Sequence, residues 1–101
     1  MPAEIEITLT VNDSPIELNE FAEQYLVNVV IGAVSTLRGF EVVYSMDISL
    51  KGEEVRVILN GNELSLTPFP NDIIAGTLTG MVSSLRGVDR IVSLRIELQK
   101  L

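Results

Sequence analysis

Cysteine, histidine and tryptophan are absent from this chain, and aromatic residues are few: three Phe and two Tyr in 101 residues. Without Cys there is no disulfide and no thiol nucleophile. Without His there is no imidazole base, and the two commonest zinc ligands are gone together. Most of the five aromatics fall at core positions in the hydrophobic pattern, so no stacking platform for bases or sugars is visible. Basic residues are scarce as well, 7 against 14 acidic, for a net charge of −7. A nucleic-acid binder needs a basic footprint to neutralise phosphates, and an anionic membrane surface needs one too; neither partner is expected. Long hydrophobic runs are also missing. The longest, Tyr25 to Val34, is about half the ~20 residues that span a bilayer and is interrupted by Asn28. The start, Met1-Pro2-Ala3-Glu4, lacks the apolar segment of a secretory leader. The expectation is a cytoplasmic protein with no cofactor.

Apolar residues, by contrast, are abundant at 47%, which implies either a large core for the chain length or apolar surface used in association. The sequence also repeats itself. Val34-Ser35-Thr36-Leu37-Arg38-Gly39 returns as Val82-Ser83-Ser84-Leu85-Arg86-Gly87, and the step from Val34 to Val82 is 48 residues. Residues 5–51 slide onto 53–99 at that step without a gap, and thirteen of the 47 pairs are identical, Asn12/Asn60, Phe21/Phe69, Gly32/Gly80 and Ile48/Ile96 among them. Identity spread along the whole segment marks an internal duplication.

Each copy reads β-β-α-β. Glu4 to Val11 alternates polar and apolar without a fault, the pattern of a half-buried strand. Asn12-Asp13-Ser14 turns the chain into a short return strand. In the second copy Glu54 to Leu59 runs into Asn60-Gly61, the strongest short hairpin signal. Asn19 and Thr67 then stand as helix N-caps, with Pro68 suited to the first helical position. Gly39 and Gly87 would end the helices, predicting spans of about 19–38 and 67–86. Positions apolar in both copies, from Phe21/Phe69 and Tyr25/Ile73 through Leu26/Ile74, Val30/Leu78 and Val34/Val82, predict a broad stripe laid on a sheet. A second stripe is small: Asn28/Gly76, Gly32/Gly80 and Ser35/Ser83. Gly inside a helix costs about 1 kcal/mol against Ala, and a close crossing of the two helices at Gly32 and Gly80 would account for it. A final alternating strand closes each copy.

The chain is therefore expected to be one α+β domain over residues 1–101, made of repeats 4–51 and 53–99 joined by a tight turn at Lys51-Gly52. The predicted architecture is a six-stranded, mainly antiparallel curved sheet with two long apolar helices. A closed six-stranded barrel of two ββαβ halves, helices outside, is the alternative. The Asn-Gly hairpin, the helix opening on Pro68-Phe69 and the Val82-Ser83-Ser84-Leu85-Arg86-Gly87 ending resemble those of short archaeal proteins built on a single ββα(β) unit. That resemblance covers about residues 54–87. It implies an archaeal source and a fused version of a homodimer, and it carries over no catalytic residue.

Few residues offer chemistry. Arg38 and Arg86 are the only basic residues repeated by the duplication, and with Asn28 they could contact a small anion near the pseudo-two-fold. The competing reading places each Arg at a helix C-terminus, where a cation offsets the dipole and bonds the last carbonyls, and that reading is the stronger. Asp47, Glu53 and Glu54 cluster around the Lys51-Gly52 turn but match no cation-binding loop. Ser35 and Ser83 lack a base to activate them. No catalytic constellation is present, so an enzyme is not expected. The leading expectation is a small interaction or scaffold domain that acts by self-association or by binding a protein partner. A small-ligand, anion-binding domain is the alternative.

Overall fold

The computed structural model describes residues 5–38, 43–85, 88 and 90–100, the side chains of Leu37 and Arg38 excepted. Alternation sets the first level of structure. Ile5–Val11 (β1) buries Ile7, Leu9 and Val11 on one side and leaves Glu6 and Thr8 exposed on the other. Asn12 and Asp13, with φ of 50° and 67°, then form a two-residue turn into Ser14–Ile16 (β2). Two successive left-handed residues make the turn whose twist matches that of paired strands, and Asn and Asp tolerate it better than other side chains. Glu20–Arg38 (α1) follows. Its N-cap is Asn19, whose Oδ1 accepts a bond of 2.8 Å from the Ala22 amide, as the sequence leads one to expect.

Ser45–Lys51 (β3) turns through Gly52 (φ 62°) and Glu53 into Glu54–Leu59 (β4). Asn60 and Gly61, at φ 51° and 86°, return the chain as Asn62–Leu64 (β5). Pro68–Val82 (α2) begins with Pro at its first position, while Thr67 makes no side-chain cap bond. Ser93–Lys100 (β6) ends the described chain. α2 stops four residues short of the predicted 86. The Ser83 and Ser84 hydroxyls both donate back to the Gly80 carbonyl, at 3.0 and 3.2 Å. The Ser84 and Leu85 amides reach only three residues back, to Met81 and Val82. Serine hydroxyls that compete for helix carbonyls, and the tighter three-residue turn beside them, end the helix early.

The six strands form one antiparallel, curved and open sheet in the order β2-β1-β6-β3-β4-β5. The closed-barrel alternative is overturned: β2 and β5 are the two edges and do not pair with each other. Each has three residues, and Pro15 in β2 has no amide to add to a ladder. Short edges of this kind discourage further pairing. The central pair is β3 with β6, in a register that sets Ile48 opposite Ile96. On either side, β1 pairs with β6 (Leu9 opposite Ile96) and β4 with β3 (Val57 opposite Ile48). The first strand of each half thus lies against the last strand of the other half, and the halves interleave.

Hydrogen bonds from two turn asparagines lock that interleaving. Asn12 Oδ1 accepts from the Val92 and Ser93 amides at 2.7 and 3.0 Å, and Asn12 Nδ2 donates to the Arg90 carbonyl at 2.6 Å. Asn60 Oδ1 accepts from the Tyr44 and Ser45 amides at 2.7 and 3.0 Å. Each turn holds the entry into the last strand of the opposite half. Asn71 fixes α2 in a comparable way, accepting from the Val55 amide at 2.9 Å and donating to the Glu53 carbonyl at 2.8 Å.

Both helices lie on the apolar face of the sheet. They bury Leu26, Val30 and Val34 from α1 and Ile74, Leu78 and Val82 from α2 against strand residues such as Ile48, Val57 and Ile96. Every buried side chain among the described residues is apolar. The predicted core stripe was too wide: Phe21, Tyr25, Phe69 and Ile73 belong to its pattern but stand exposed. The close crossing at Gly32 and Gly80 is also corrected. Both glycines are exposed, and a methyl group built on either would meet nothing within 4 Å. A helix whose inner face follows Leu26, Val30 and Val34 necessarily turns Asn28 and Gly32 outward, because they sit most of a half-turn away.

Candidate functional site

Helical geometry that buries one face of each helix raises an opposite row from the molecule. In α1 that row is Phe21, Tyr25, Asn28 and Gly32; in α2 it is Phe69, Ile73, Gly76 and Gly80. All eight are exposed. Phe21 and Phe69 keep 75% and 74% of their surface in contact with solvent, and Tyr25 and Ile73 keep 52% and 53%. The Phe21 and Tyr25 rings stack, 5.8 Å between centroids and 20° between planes, which presents them as one block. From Tyr25 to Leu37 and from Ile73 to Leu85 there is no charged residue. An outward helix row in a protein that works alone is normally charged.

The opposite face of the sheet shows that normal chemistry. Arg95 Nε bonds Asp47 Oδ1 at 3.1 Å and its Nη2 reaches both Asp47 and Glu97. Arg56 pairs with Glu63 through two bonds of 3.1 and 3.0 Å. The Arg56 hydrogen bond holds the Glu63 carboxyl below the usual carboxylate range, and the Glu63 and Asp47 partners push the guanidiniums of Arg56 and Arg95 up. These are exposed pairs, worth little to stability, but they keep that side wetted. One broad face of the molecule is laced with charge pairs, and the other carries helices that have no charge beyond their first turns, from Tyr25 to Leu37 and from Ile73 to Leu85.

The start of α1 lies beside the end of α2, so the two helices run in opposite directions across this face. Phe21, Ala22 and Tyr25, near the start of α1, border the same groove as Met81, Ser84 and Leu85, at and beyond the end of α2. With Ile16 and Leu18 they enclose an open trough of about 1120 Å³. Among the described residues Glu17 is the single charged side chain on its wall.

Asn28, Gly32 and Gly80 lie on the outer face of the helices. Arg38 closes α1, and Arg86 lies outside the described residues. Asp47 is engaged by Arg95. No group of three or more His, Cys, Asp or Glu side chains among the described residues could hold a metal ion. No described helix is long and apolar enough to cross a membrane. Sequence reasoning assigned the exposed aromatics to the core and missed them as surface; the signal that could have found them was the width of the apolar pattern, more than one face of a helix can bury. Comparison with protein-family models, with curated proteins and with solved structures finds no match.

Proposed function

We propose that this chain is a small non-catalytic interaction domain whose working surface is the outer face of its two helices, where a protein is held. The observation that carries the reading is the set Phe21, Tyr25, Phe69 and Ile73, each more than half exposed on a face with no charge between Tyr25 and Leu37 or between Ile73 and Leu85. Large apolar side chains contribute nothing to folding while they stay in water, and a contiguous exposed set of them marks an association surface. The core is filled without them by residues from every strand except the short β2.

The architecture is a tandem duplication. The same β-β-α-β order fills residues 5–51 and 54–100, and the flanking strand pairs share one register under the 48-residue step: Leu9 opposite Ile96 becomes Val57 opposite Ile48. The excess of acidic residues argues against a nucleic-acid partner, and a cytoplasmic setting suits a chain without Cys.

Site-specific photo-crosslinking in the native cells tests this. A photoreactive residue at Phe21 or Phe69 should give protein adducts, and one at Thr8 on the charged face should not. Equal yields from both faces, or no adduct from the helix face, would refute the reading.

A further inference from the structure

We infer that the protein held on the helix face is a second copy of this chain, docked face to face about a two-fold axis lying in the plane of the helix layer. The inference rests on the reading of that face as an association surface and adds the partner and the geometry.

Surface area gives the first argument. Phe21, Tyr25, Phe69 and Ile73 leave 75%, 52%, 74% and 53% of their surface unburied. Aromatic side chains carry ~150–250 Å² each, so this set supplies a large part of the ~800 Å² that each partner contributes to a standard interface.

Shape gives the second. Because the helices are antiparallel, the face has two bulky corners and two small ones, alternating around its perimeter. The stacked Phe21 and Tyr25 stand beside the Gly80 and Ser84 end of α2; diagonally across, Phe69 and Ile73 begin α2. Such a face cannot be laid on an unrotated copy of itself without aromatic meeting aromatic. Turning the copy over about an axis parallel or perpendicular to the helices sets every bulky corner on a small one. The same surface then supplies knob and hole on both sides, the condition for a closed two-fold dimer. Gly32 and Gly80, which nothing inside the chain requires to be small, become the floors that receive the partner's rings.

Charge agrees with the same docking. Glu20 and Glu23 begin α1 and Asp72 lies in the first turns of α2, so acids flank the bulky corners. Face-to-face docking puts those corners over the helix ends of the partner, and α1 ends at Arg38. Like charges are kept apart, and each acidic corner approaches a helix C-terminus, where only the uncharged Ser83 and Ser84 or Arg38 stand among the described residues.

Sedimentation equilibrium of the full chain should give a dimer, twice 11.1 kDa. The double variant Phe21→Glu/Phe69→Glu should be monomeric, its dimer weakened on the order of 100-fold or more, with an unchanged circular dichroism spectrum. Thr8→Glu, on the charged face, should leave the dimer intact. A dimer that survives Phe21→Glu/Phe69→Glu would overturn the inference, since another surface would then be responsible. A wild-type monomer overturns it too. In that event, photo-adducts from Phe21 to a different protein would leave the interaction reading standing, and their absence would remove both.

Discussion

Replacing Asn12 with Ala tests whether interleaving of the two halves, rather than each half's own packing, holds the sheet together. The substitution removes three side-chain bonds, to the Val92 and Ser93 amides and the Arg90 carbonyl. These groups lie near the surface and can rehydrate, so the lower part of the usual range applies, about 0.5–1 kcal/mol each. Ala must also adopt the left-handed conformation that Asn12 holds at φ 50°, at a further cost of about 1 kcal/mol. The sum is about 3 kcal/mol, a large share of the 5–15 kcal/mol typical of a domain, and corresponds to a fall in Tm of the order of 10–20 °C. Urea unfolding followed by circular dichroism, at fixed protein concentration, measures it. Asn12→Gly removes the same bonds without the conformational strain and should recover roughly 1 kcal/mol. Asn60→Ala should cost a similar amount. The double variant should be additive, because the anchored strand entries, Ser93 opposite Lys51 and Ser45 opposite Gln99, are six positions or about 20 Å apart. An Asn12→Ala protein with the wild-type midpoint would refute the argument, as would equal losses for Ala and Gly on the conformational part.

In the monomeric Phe21→Glu/Phe69→Glu background, Gly32→Ala and Gly80→Ala should each raise the unfolding free energy by about 1 kcal/mol, since only helix propensity is at stake; a loss of stability would mean that the glycines are needed inside the chain. Ile96→Ala, at the centre of the sheet and fully buried, should cost about 2–5 kcal/mol by the same assay, and a loss under 1 kcal/mol would contradict the assigned core. Glu63 is held below the ordinary carboxylate range by Arg56; its small stabilising contribution is present above the unfolded carboxylate pKa and is lost as pH falls through the lower folded one. An NMR titration should show that lowered value, and Arg56→Gln should return it to the ordinary range; no movement would mean that the pair does not persist in solution.

Strands and turns were legible because their signals are local. Ile7, Leu9 and Val11 alternate with polar neighbours, and Asn60-Gly61 can do little but turn. The pairing of β3 with β4 followed from the two-residue link between them. What the pattern could not separate was buried from merely apolar. Phe21 and Tyr25 sit on the row opposite Leu26, Val30 and Val34, and hydrophobicity alone gives both rows the same weight. The glycines misled for a related reason: Gly32 and Gly80 announce room for something close by, but not whether it belongs to the same molecule. Asn12 and Asn60 were read as turn residues from their type, while their cross-half bonds depend on a strand some eighty residues away for Asn12, which no local signal reports. The end of α2 shows the same limit, since the serine back-bonds that stop it at Val82 oppose a Gly signal placed further on, while α1 ends at Arg38 as its pattern predicts.

The ion pair between Asp47 and Arg95 has a consequence for how the two halves recognise each other. The two residues occupy the same place in the two halves, 48 positions apart, beside the axis marked by Ile48 and Ile96. Two identical halves meeting there would set Asp against Asp or Arg against Arg, and neither combination makes the bond. With the acid in one half and the base in the other, each half matches the other better than it matches a second copy of itself. Cut between Lys51 and Gly52 and expressed as separate pieces, the halves should choose each other over their own kind. By this logic the joining turn matters less to which halves pair than the acid and base that face each other across the centre of the sheet.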